Sequence, residues 1–84
     1  MARKTPKNRL VMKNISHLRY PTGETGFQVR FHETNDRDEF SAYFSANTYG
    51  PRKAKQMALR VREEFDYWGP YMAGQMAQEL RETV

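Results

Sequence analysis

The sequence predicts an α+β domain: a three-stranded antiparallel β-sheet packed on one α-helix, with a short C-terminal helix after it. Three observations lead there. Residues 14–44 hold three short runs of alternating apolar residues separated by turn-forming clusters, the pattern of a meander. From residue 51 the apolar spacing changes to three and four, the period of an amphipathic helix. A sheet and a helix that each need to bury one face do so most simply as two layers.

The elements follow in order. Residues 1–13 are basic, contain Pro6 and have few apolar residues, so they read as a flexible arm. The first strand is expected at Asn14–Tyr20. The cluster "PTGETG" then turns the chain. The second strand, Phe27–Glu33, carries the strongest alternation: Phe27, Val29 and Phe31 on one face, Gln28, Arg30 and His32 on the other. After the polar loop "TNDRD" the third strand, Glu39–Phe44, alternates Phe40, Ala42 and Phe44 with Ser41 and Tyr43. Pro51 suits the first turn of a helix, where its missing N–H is not needed. Ala54, Met57, Ala58, Val61 and Phe65 then form one stripe, with Trp68 next in the series, placing a helix over residues 51–67. Gly69 and Pro70 end it, and Met72, Met76 and Leu80 suggest a second helix over 71–82 that helps the core by covering Trp68. The expected core is Phe27, Val29, Phe31, Phe40, Ala42 and Phe44 against Ala54, Met57, Val61 and Phe65.

Charge is distributed unevenly. The chain has 84 residues and a formal net charge of +4. Arg3, Lys4, Lys7, Arg9 and Lys13 give residues 1–14 a charge of +5, which leaves −1 for the rest. A basic arm on a near-neutral body is a device for gripping phosphates. With no cysteine, neither a disulfide nor a thiolate metal site is possible. No apolar run approaches the ~20 residues of a membrane-spanning helix. No glycine-rich phosphate loop and no nucleophile–base arrangement stands out. His17 and His32 lack acidic companions at ligand spacing, so no enzyme activity, metal or cofactor is expected.

One face of the sheet should stay uncovered. If Ile15 and His17 point inward, Ser16, Leu18 and Tyr20 point outward; a slip of one residue would expose His17 and Arg19 instead. The second and third strands add Gln28, Arg30, His32, Ser41 and Tyr43. Such a face can enter the major groove of duplex DNA, where arginine pairs with guanine and glutamine with adenine through two hydrogen bonds each. Arg52, Lys53 and Lys55 near the helix start would then join the arm, itself on the backbone or in the minor groove, in setting register through phosphates. A solvated polar face is the alternative meaning of the same alternation.

A strand beginning near Ile15, a glycine-containing turn, "GFQVRF", "FSAYFS" and "TYGPRKAKQMALRVREEF" follow in sequence. In that order and spacing they resemble the ethylene-response-factor (APETALA-type) DNA-binding domain. They are most similar to its bacterial and phage members and to the related arm-site-binding domains of tyrosine-recombinase integrases. The likeness covers roughly residues 14–67. Its most specific parts are Phe44-Ser45, Tyr49-Gly50 and the helix alanines Ala54 and Ala58. It implies a three-stranded sheet seated in the major groove of double-stranded DNA with the helix behind. The outward residues would be Ser16, Leu18 and Tyr20 (with Arg19 close by), Gln28, Arg30, His32, Ser41 and Tyr43. It further implies a phage or mobile-element protein concerned with integration, excision or transcription regulation, working in a bacterial cytoplasm or nucleoid. The competing expectation is a small phage-type protein that modulates a host protein. Its surface would be the Met-bearing helix 71–82 or the acidic loop with Glu33, Asp36, Asp38 and Glu39.

Overall fold

The computed structural model describes residues 7–36 and 38–83. Four strands form one antiparallel meander in the order β1 (Lys7–Met12), β2 (Ile15–Arg19), β3 (Thr25–Phe31) and β4 (Phe40–Ser45). Three helices follow: α1 (Ala46–Tyr49), α2 (Pro51–Trp68) and α3 (Pro70–Glu82). The class is the expected α+β, and the sheet has four strands where three were expected.

The extra strand comes from the segment assigned to the arm. Lys7–Met12 pairs with β2, from Lys7 opposite Arg19 to Met12 opposite Ile15, with a bulge between Leu10 and Met12. Asn14 makes the hairpin possible by adopting φ 64°, a conformation that asparagine tolerates better than most residues. Its side-chain amide donates to the Arg30 carbonyl at 3.0 Å, and its own carbonyl accepts the Arg30 N–H at 2.9 Å. The turn between β1 and β2 is thereby fastened to β3.

Ile15 lies opposite Val29 and His17 opposite Phe27, so the register with Ile15 and His17 inward is the one formed. His17 meets the Phe27 ring at 5.0 Å. The inner face supplies Ile15, Phe27, Val29, Phe31, Ala42 and Phe44 to the core, and α2 supplies Ala54, Met57, Ala58, Val61 and Phe65. Phe65 is fully buried, stacked on Phe31 at 3.7 Å and tilted against Phe40 at 5.4 Å.

α1 is a single turn capped by Ser45, whose hydroxyl accepts the Thr48 N–H, and it was not anticipated. Gly69, at φ 98°, turns the chain between α2 and α3, and Pro70 opens α3. α3 runs back beside α2, burying Ala73 and Ala77. Near its end Arg81 donates to the Tyr43 carbonyl at 2.9 Å and stands 4.9 Å over the Phe44 ring. One edge strand, β4, is therefore closed by a helix, while β1 forms the other edge. The expectation that α3 covers Trp68 is not met, since Trp68 is the last residue of α2 and stays 61 % exposed. A helix that folds back covers the turns before the corner and leaves the corner itself outside. Among the described residues no helix is long and apolar enough to cross a membrane.

Candidate functional site

All the packing described above lies on one side of the sheet, so the other side is the place to seek a site. Strand parity puts Leu10 of β1, Ser16 and Leu18 of β2, Gly26, Gln28 and Arg30 of β3, and Ser41 and Tyr43 of β4 on this outer face. The register aligns them: Ser16 faces Gln28, Gln28 faces Tyr43, and Arg30 faces Ser41.

The face divides into two halves of different character. In one, Leu10, Asn14, Ser16, Gln28, Arg30 and His32 line an open concavity of about 450 Å³. His32 lies just beyond β3, yet it joins this rim. The side-chain carbonyl oxygen of Asn14 is buried, and among the described residues it has no hydrogen-bond partner. Arg30 is not idle. Its guanidinium donates to Glu39 at 2.7 Å, with both side chains about half exposed. An exposed pair of this kind contributes only ~0.2–1 kcal/mol, so Arg30 can change partners at small cost.

The other half is closed by aromatic side chains. Tyr43 lies across Gly26, where an added Cβ would collide with its ring. Its hydroxyl donates to Glu24 at 3.0 Å, and its ring meets Tyr20 edge to face at 6.1 Å. Leu18, outward by register opposite Gly26, is only 4 % exposed. Tyr43 and Tyr20 are thus on the expected face but engaged with each other and with the loop. Burial first, and the Glu24 carboxylate second, push the Tyr43 hydroxyl up to about 12 from 10.0. The fold favours the protonated phenol, so its contribution is complete below pH 10 and is lost as pH rises from 10 to 12. Thermal melts of the wild type and Tyr43→Phe should therefore converge across that window. Parallel curves from pH 9 to 12 would show that the fold does not hold this hydroxyl protonated above pH 10.

The remaining expected residues fall elsewhere. Arg19 alternates to the helix side, opposite Thr25, and so is not part of the outer row. Arg9 pairs with His17 and shares its inward parity, although β1 leaves it exposed at the edge. Lys13 sits exposed in the β1–β2 turn, where its carbonyl accepts from Arg62 at 3.1 Å. Arg52, Lys53 and Lys55 are exposed in the first turns of α2, in the helix layer. Arg3, Lys4 and the Lys7 side chain lie outside the described residues. Among the described strand residues, Arg30 is the one lysine or arginine on the outer face. His17 and His32 are on opposite sides of the sheet, and no group of three potential metal ligands gathers among the described residues.

Leu10 and Asn14 are site-lining residues that sequence reasoning missed, because both follow from β1 and its turn. The partnership of Arg30 with Glu39 was also missed. The signal was present, however, in an acidic residue one position before a strand antiparallel to that of Arg30. Comparison of the chain with family models, with curated proteins and with solved structures finds no match.

Proposed function

We propose that the chain binds double-stranded DNA through the uncovered face of its sheet, with Gln28 and Arg30 addressing base edges in the major groove. The observation that carries this reading is the row Ser16–Gln28 and Arg30–Ser41 on a face that none of the described helices covers. Hydroxyl, amide and guanidinium groups are the side chains that pair with base edges. The resemblance of residues 14–67 to major-groove sheet domains of phage and mobile-element proteins supports the same use of the same residues.

Size limits how the sheet can enter. Strands lie ~4.8 Å apart, so four span about 14 Å against a groove about 12 Å wide. Three adjoining strands fit and the fourth stays at the rim. With β2, β3 and β4 inside, β1 would meet the sugar-phosphate wall, where Arg9 and Lys13 serve as backbone contacts. Arg52 and Lys53 would hold phosphates from the helix layer. His32 and Asn14 would border the base readers.

Arg30 and Glu39 give the test its two directions. Arg30→Ala should weaken binding to a selected duplex by about 5- to 150-fold, the equivalent of ~1–3 kcal/mol for a lost base contact. Glu39→Gln should strengthen it, because it removes both a competing partner and a negative charge beside the phosphates. Both side chains are half exposed, so melting temperatures should stay close to wild type. Duplexes selected from a random pool and titrated in parallel with the two variants would check this. Equal affinity of wild type and Arg30→Ala would rule out Arg30 as a reader.

A further inference from the structure

The corner between α2 and α3 exposes more aromatic surface than the fold accounts for. Tyr67 is 77 % exposed, Trp68 61 % and Tyr71 74 %, with Met72 beside them at 39 %. The Tyr67 and Trp68 rings meet at 4.7 Å, and Tyr71 accepts a hydrogen bond from Gln75 at 2.7 Å. Scattered apolar residues on a surface need no explanation, but large apolar side chains exposed together at one corner point to an interface. Tyrosine, tryptophan and methionine are also the residues enriched at interface centres.

Charge around the corner selects the occupant. Residues 63–80 contain Glu63, Glu64, Asp66 and Glu79 and no lysine, arginine or histidine. Glu63 and Glu64 lie four positions before Tyr67 and Trp68, hence on the same helix faces. Glu64 is drawn to Arg60 at 3.9 Å, while Glu63 and Asp66 are exposed. The acidic β3–β4 loop emerges at this end too, since Phe40, which follows it, packs on Phe65 and reaches toward Gly74.

We propose that this corner docks a lysine- or arginine-rich segment of another protein, with its cations over the exposed rings and against Glu63 and Asp66. Cations are attracted to the faces of tryptophan and tyrosine, and the surrounding acids strengthen that attraction and steer the approach. The same acids oppose the other two occupants of an aromatic surface. A second copy would set acid against acid across a two-fold contact. Unpaired nucleobases stack on aromatic side chains within basic grooves, and this rim is acidic. The inference is independent of the DNA-binding reading, which uses the uncovered sheet face.

Trp68 is the only tryptophan of the chain, so its emission reports on this corner alone. The full chain would be titrated with a short arginine–leucine peptide, with the same peptide carrying glutamate for arginine, and with oligothymidylate. The basic peptide should shift Trp68 emission to shorter wavelength and saturate, and the other two should leave it unchanged. In a Glu63→Lys, Asp66→Lys variant that keeps the wild-type melting temperature, affinity for the basic peptide should fall by about tenfold or more. Four results would overturn the proposal: no response to the basic peptide, an equal response to the acidic one, tighter binding of oligothymidylate, or an emission shift that tracks self-association in sedimentation.

Discussion

Phe65→Ala is expected to remove a large part of the stability of the fold. Phe65 is fully buried, its ring stacked on Phe31 from β3 and tilted against Phe40 from β4, so one side chain joins α2 to two strands. Truncating a buried phenylalanine costs about 3–5 kcal/mol through lost transfer energy and the cavity left behind. A domain of this length holds only ~4–13 kcal/mol in total. At roughly 4–8 °C per kcal/mol for so small a domain, the midpoint should drop by about 12 °C or more. Phe65→Leu, which keeps much of the volume, should cost far less. Circular dichroism melts of the three proteins decide the matter. A Phe65→Ala midpoint within a few degrees of wild type would mean that α2 does not seat on the sheet in this way.

That prediction rests on a core legible from spacing alone. Alternation in "FQVRF" and "FSAYF" and the three–four spacing from Ala54 to Phe65 each encode which face is buried, and those side chains meet as expected. β1 was not legible because its order does not come from side-chain burial. Among the described side chains of β1, Met12 is the one that packs against the core, while Leu10 is 67 % exposed. Its pairing comes from backbone ladder bonds and from a turn fixed by Asn14, and neither leaves an apolar pattern. Trp68 shows the converse failure: it fits the helical stripe by number, yet it falls where the helix stops.

The outer face was legible to the same depth. Parity alone assigns Gln28, Arg30, Ser41 and Tyr43 to it, because a strand has only two sides; Ser16 joins them only through the register that β2 adopts against β3. Parity says nothing about what an exposed side chain does next. Arg30 turns to Glu39 and Tyr43 folds across Gly26, and both depend on a loop conformation or a neighbouring strand. The concavity around Gln28 and Arg30 and the closed aromatic half beside it are thus tertiary facts. They narrow the candidate readers from a whole face to one half of it.

Gly26→Val is the second large effect expected, and it tests that division of the face. Gly26 is buried between Leu18 of β2 and Ser45 of β4. A Cβ there would collide with the Tyr43 ring and lie 2.6 Å from the Phe44 carbonyl oxygen. The ring can swing away, at the loss of the Glu24 hydrogen bond and the Tyr20 contact. The carbonyl belongs to the β4 backbone and moves only if the pairing of Phe27 with Phe44 shifts. Overpacking of this kind costs ~1–3 kcal/mol and more where backbone must yield, so about 3 kcal/mol is expected for valine and less for alanine. Adding Tyr43→Ala should recover only part of it. A stability within ~0.5 kcal/mol of wild type, the range of ordinary surface changes, would contradict the close approach of Tyr43 to Gly26. The contrast with Arg30→Ala separates the two halves of the face. Arg30→Ala should lower DNA affinity at an unchanged melting temperature, whereas Gly26→Val should lower the melting temperature first. Its affinity should fall only to the extent that β4 carries Ser41 out of line with Arg30.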